Sequence, residues 1–180
     1  MKTLSGLVIG AFALTSVTAV TPALADGHGH KHKNLMMQIE KIVKNKQHAK
    51  LIHDRRKEMR ALGGNMKKIV DYLKHGKGGP NAVAAAAGAI EVIASKTHSL
   101  FPAGTGMDNY AGITGAKTSI QSDNAGFKAA ADELATLAAQ LKKVASSSGA
   151  NKGQIAAAFR SVGRMGCGGC HRTYRQKLKR

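Results

Sequence analysis

The residues best placed to do chemistry lie together near the C-terminus. Cys167 and Cys170 are the two cysteines of the 180-residue chain, and His171 follows directly, giving Cys-Gly-Gly-Cys-His. Three chemistries use such a pair. Thioredoxin-like dithiol exchange belongs to a βαβ setting, and no such alternation surrounds these residues. Zinc needs four ligands, and there is no second Cys/His cluster at zinc-finger spacing. The third is covalent haem c attachment, in which each thiol adds to a haem vinyl group and the adjacent imidazole binds the iron. On a helix Cys167 and Cys170 stand at i and i+3, on one face. The motif therefore predicts one covalently bound haem c, with Cys167 and Cys170 as attachment sites and His171 as axial ligand.

A second cluster of metal-binding residue types lies near the N-terminus, where residues 28–33 read His-Gly-His-Lys-His-Lys. It follows an export signal. Lys2 precedes an apolar stretch over 6–20, and Ala23-Leu24-Ala25 forms an A-x-A-like cleavage site. The apolar stretch is short for a membrane span. Residues 1–25 thus read as a signal peptide cleaved after Ala25, placing the protein in the periplasm, an oxidising compartment. Cleavage there would leave Asp26-Gly27-His28. An imidazole third from a free amine can complete a four-nitrogen square around Cu(II) or Ni(II), so His28 is a candidate metal ligand. The competing reading of 26–43 is a solvated, disordered His/Lys-rich extension.

The remaining residues must position the Cys-x-x-Cys-His motif. Composition favours helices: 43% hydrophobic residues, 4% aromatic and no Trp, with long Ala/Leu/Lys stretches. Val and Ile do not form the regularly spaced runs of a β-sandwich. Four amphipathic segments follow. The first spans about Lys44–His75, with Ile52, Met59, Leu62, Met66, Ile69 and Leu73 on one stripe and an interruption at Gly63-Gly64. The second begins near Asn81, a plausible N-cap, and carries Val83, Ala87, Ile90, Ala94 and Thr97. A long loop covers 101–123. The third runs from Asn124 with Phe127, Ala130, Leu134, Leu137, Leu141 and Val144. The fourth covers about Lys152–Lys177, with Ile155, Phe159, Val162 and Met165 on one side. An all-α, antiparallel four-helix bundle over 44–180 is expected, with haem c on its last helix. Small side chains and few rings would leave a thin core unless a bulky group fills it.

From about residue 46 to the end, the chain resembles the class II c-type cytochromes, the cytochrome c′ and cytochrome c556 family. The resemblance is carried by RRKEMRALGGNM (55–66), LFPAGT (100–105), the region 116–127 and CGGCHRTYR (167–175), in order and at compatible spacing. Gln121 stands where the family often has Trp, and the extension over 26–43 has no counterpart. The resemblance implies that Arg55, on the inward stripe between Ile52 and Met59, meets a haem propionate, and that Arg175 lies near the proximal haem face. It also implies that Met59 faces the distal side. In c556-like members a methionine there binds iron and the protein carries electrons. In c′-like members the position blocks an open site that takes nitric oxide or carbon monoxide. The chain is compatible with both, because soft thioether ligation is weak. Met36, Met37 and Met66 are poorer candidates.

Charge narrows the partners. The formal net charge is +18, and +17 without the signal, whose one charged residue is Lys2. Such a surface would steer an acidic redox protein. Export argues against nucleic acid. Residues 41–50 could touch an anionic membrane peripherally, although Ile42, Val43, Ala49 and Leu51 make a weak apolar face. Homodimers are common in the family, but this charge would oppose one. No nucleophile–base pair suggests an enzyme.

Overall fold

The computed structural model describes residues 29–178, with the backbone alone for 29–35. The expected signal peptide and the candidate ligand His28 lie outside the described residues. The elements are α1 (Gly29–Ile42), α2 (Lys46–His75), α3 (Gly79–Thr97), α4 (Ser119–Ser122), α5 (Asn124–Ser146), α6 (Lys152–Ser161), a π-helical segment (Val162–Cys167) and α7 (Gly168–Tyr174).

Local chemistry sets most boundaries. The Asn45 side chain caps α2 by accepting from the Gln47 and His48 N–H groups, and Gly76 closes it at φ 69, a left-handed cap that favours glycine. The expected interruption at Gly63-Gly64 is absent. Both glycines face open space, and the buried stripe through Leu62 and Ile69 outweighs a propensity cost of about 1 kcal/mol each. Helix α3 starts at Gly79 rather than Asn81, because Pro80 occupies its first turn, where a missing N–H costs nothing. Asp123 caps α5 through the Gly126 N–H, and Asn151 and Gln154 form a capping box on α6.

Pairings across the bundle fix its directions. Glu91 of α3 meets Lys142 of α5, whereas His98, just beyond α3, meets Asn124 at the start of α5. The two helices are therefore antiparallel. Leu134 of α5 lies against Gly166, and Asp123 bonds Tyr174, so the C-terminal segment runs antiparallel to α5 as well. The tight turn at 76–78 reverses α2 into α3. The result is the expected antiparallel four-helix bundle of α2, α3, α5 and the α6–π–α7 segment. Its main core includes Leu62, Ile69, Val83, Ala87, Ile90, Leu137, Leu141 and Ile155.

Three expectations are corrected. The extension is not wholly a solvated tail. It forms α1, whose Ile39, followed by Val43, is buried against Ala49 and Ile52, with Tyr110 and Ile113 packed alongside. Met165, assigned to the inward stripe, is 54% exposed, because the π turn shifts the register and turns Gly166 inward. The last helix ends at Tyr174 rather than Lys177. The chain there becomes extended and pairs with the long loop, through Gln176 N–H to the Gly115 carbonyl (2.8 Å) and Lys117 N–H to the Tyr174 carbonyl (3.1 Å). Among the described residues no helix is long and apolar enough to cross a membrane.

Candidate haem site

The attachment motif straddles a change of helix type. Cys167 ends the π segment, whereas Cys170 and His171 lie in α7. A π turn holds an extra residue, so the cysteines are presented to different surroundings. Cys167 packs against the main core. Cys170 packs against a second cluster of Ala116, Ile120, Phe127 and Tyr174. Both thiols are half-buried and free of disulfide. Burial pushes Cys167 up, and burial plus the neighbouring Cys167 raises Cys170 to about 11. That is the reverse of the acidified thiol needed for dithiol exchange or zinc binding. His171 is exposed, yet its pKa is lowered by the solvent it loses and then by the Arg175 charge. The neutral ring so favoured is the form that binds metal.

His171 and Cys170 open onto a cavity of about 1200 Å³ at one end of the bundle, above the roughly 300–1,000 Å³ of ordinary small-ligand sites. Arg55 and Met59 of α2 also line it. Met59 is half-buried there, and it and His171 both line this one cavity. Met66 instead packs near Gly163, 3.7 Å from where a Cβ would stand there, Met36 packs beside α1's buried residues, and Met37 is 53% exposed. Three aromatic rings line the cavity. Phe101, Phe127 and Tyr174 stack edge to face at 5.1 and 5.2 Å. The Tyr174 hydroxyl donates to Asp123 Oδ2 at 2.6 Å.

Arg55 is 2% exposed. Its guanidinium donates to Thr105 Oγ1 (3.0 Å), to the Thr105 carbonyl and to Thr114 Oγ1 (2.7 Å), and sits 5.0 Å from the Phe101 ring centre. Burial, then Arg56, lowers its pKa to about 10, so it remains a cation at neutral pH. All its partners are neutral. A buried cation beside a cavity without a carboxylate fits a group that brings its own anions, as haem brings propionates. Arg175 also lines the cavity, from the extended segment beyond α7 rather than from the helix. Gln121 donates to the Phe101 carbonyl at 2.9 Å, tying the loop where a Trp ring would pack. Thr105, Thr114 and Phe101 were not singled out from sequence, although Phe101 and Thr105 fall within LFPAGT. Among the described residues no group of three or more His, Cys, Asp or Glu could hold a separate metal ion.

Comparison with known proteins agrees with this geometry. The family model for cytochrome c′ matches residues 50–175. No curated protein matches the chain. Among solved structures, cytochrome c′ from Thermochromatium tepidum is 28% identical, covering 71% of this chain and 95% of its own at a TM-score of 0.62. A cytochrome c′ described as having ligand-controlled dimer dissociation is 29% identical, covering 71% and 95%, TM-score 0.62. Cytochrome c556 from R. palustris, 24% identical and covering 72% and 98%, shares the fold at 0.62. The cavity, the motif beside it and the match over most of the chain agree: the protein belongs to the cytochrome c′ family and binds one covalently attached haem c.

Proposed function

We propose that this protein is a periplasmic electron carrier. The observation that supports it best is the placement of Met59 and His171 on the same cavity. When bound, haem supplies one-electron chemistry, its iron cycling between ferric and ferrous. Each residue then has a defined task. Cys167 and Cys170 would hold the group through thioethers. His171, kept neutral in part by Arg175, would take the proximal iron position. Met59 would offer its sulfur on the distal side, and a filled coordination shell suits electron transfer because little rearranges between oxidation states. Arg55, pre-oriented by Thr105 and Thr114, would receive a propionate. Phe101, Phe127 and Tyr174 exclude water beneath. Cleavage after Ala25 would deliver the chain to the periplasm.

The test is the spin state of the haem protein with and without carbon monoxide. We expect a low-spin spectrum that carbon monoxide leaves unchanged, and a high-spin one in Met59→Ala. High-spin iron that binds the gas in the unmodified protein would replace this reading with a five-coordinate, nitric oxide- or carbon monoxide-binding one. Sedimentation in both conditions would then show whether a dimer forms and responds to ligand, as in the relative with ligand-controlled dissociation.

A further inference from the structure

Five cationic side chains line the cavity, and no carboxylate does. Arg55 is turned inward onto its threonines. Arg56 is half-buried, while Arg60, Arg175 and Lys177 are exposed, so these four stand around the mouth. Charge is handled differently elsewhere. Among the described residues the ion pairs are made by Lys50, Lys67, Lys128, Lys142 and His53, and no arginine takes a carboxylate. Three of these pairs, Lys50–Asp54, Lys67–Asp71 and Lys128–Asp132, join residues one helical turn apart. Asp54, Asp71, Glu91 and Asp132 are thus paired with lysines, and none of the remaining acids joins the cavity's lining. Arg56 gives one bond, to the Ile113 carbonyl at 3.3 Å, and burial, then the Arg60 charge, lowers its pKa.

The residue type matters as much as the sign. A guanidinium is weakly hydrated, planar and matched to carboxylates in a two-bond fork, whereas an ammonium holds its water. Unpaired arginines around a concavity therefore favour carboxylates on a macromolecular surface. We propose that Arg56, Arg60, Arg175 and Lys177 form the docking surface for the acidic face of a redox protein seated over the cavity mouth. This rests on the electron-carrier reading and names the partner's chemistry and contact site. Half-buried Ile113 and Leu178, which also line the cavity, supply apolar contact inside the charged ring, the usual arrangement of a protein interface. Propionates held by Arg55 would leave the four outer charges available.

The test is titration of the haem-loaded protein with a plant-type ferredoxin, a small acidic redox protein, followed by calorimetry at low and physiological salt. We expect binding that weakens with salt, and a loss of about three- to tenfold at low salt in Arg60→Gln/Lys177→Gln. The pair Lys74→Gln/Lys143→Gln removes the same charge from the far end of the bundle and should change affinity less than about twofold. Equal weakening by both pairs would overturn the proposal in favour of net charge alone, as would no binding at low salt. Rim-dependent binding to phosphatidylserine vesicles that exceeds binding to ferredoxin would overturn it in favour of a membrane. Voltammetry tests the carrier reading separately. A haem without a reversible ferric/ferrous wave defeats that reading, whereas a reversible wave with rim-insensitive ferredoxin binding defeats the docking surface alone.

Discussion

Tyr174 shows how one side chain can hold two distant parts of this molecule together. Its hydroxyl donates to Asp123, whose other carboxylate oxygen caps α5 through the Gly126 N–H at 3.1 Å. Gly126 must lack a side chain, because a Cβ would fall onto the Asp123 carboxylate and the Tyr174 hydroxyl. The hydrogen bond raises the Tyr174 pKa to about 12. A raised pKa means that the folded state keeps its proton longer than the unfolded chain, which titrates near 10. The bond therefore stabilises fully below about pH 10 and is lost as pH rises toward 12. Tyr174→Phe should lower stability at neutral pH, with the gap to wild type closing between pH 10 and 12, measured by urea denaturation. Arg55 is the other instructive residue. Its place on an apolar stripe marked it as a buried charge needing a partner. The partners, Thr105 and Thr114, lie 50 and 59 positions away, and nothing local distinguishes them from other loop threonines.

At the scale of elements, the π segment decides how the attachment motif is presented. Gly166 faces α5 so closely that a Cβ would lie 2.7 Å from Leu134 Cδ1 and 3.3 Å from its Cα. Gly166→Ala should push the segment off α5 and cost about 1–3 kcal/mol. A midpoint shift in urea, with the slope unchanged, would confirm it. A regular 3.6-residue periodicity carried through Val162 places Met165 inward, and the π turn is why that projection fails. The periodicity worked well in α2, α3 and α5, where the helices are regular. Helix α1 was hidden by its composition, since the His/Lys-rich stretch has no apolar residue before Leu35 and the apolar positions that follow are few. Burial of those two side chains over Ala49 and Ile52 stabilises by roughly 1.5–3 kcal/mol each at most. Deleting residues 26–43 should therefore lower stability by about 2–4 kcal/mol and loosen the loop around Tyr110 and Ile113. Faster amide exchange in 106–114 would be the signature, and unchanged exchange there would show that α1 is dispensable.

At the scale of the whole molecule, the bundle is packed by two different means. Away from the motif, Ala, Leu, Ile and Val fill most of the space between helices, with Tyr72 and Phe159 the rings among them. At the other end Phe101, Phe127 and Tyr174 gather around a cavity of about 1200 Å³ that opens to solvent, and these side chains lack partners on that side unless a bulky group fills it. Removing the group that fills it should cost side-chain order before it costs helices. The Cys167→Ser/Cys170→Ser protein, prepared free of haem, is expected to keep most of its far-UV helical signal while losing near-UV signal and a sharp thermal transition. A cooperative transition at the wild-type temperature would show that the bundle does not depend on haem.

Helix type, three of the four bundle stripes and the attachment chemistry were determined by the sequence alone. Each depends on spacing between near neighbours, whether i to i+3 in the Cys-x-x-Cys-His motif or every third and fourth residue along a stripe. Tertiary structure decided the rest. It set Met59 on the same cavity as His171, enclosed Arg55 with two loop threonines, docked α1, and turned the chain at Tyr174 to pair with 115–117. Most of these outcomes depend on groups brought together across fifty or more positions, and the docking of α1 depends on a chain reversal at 43–45 that the apolar pattern does not record.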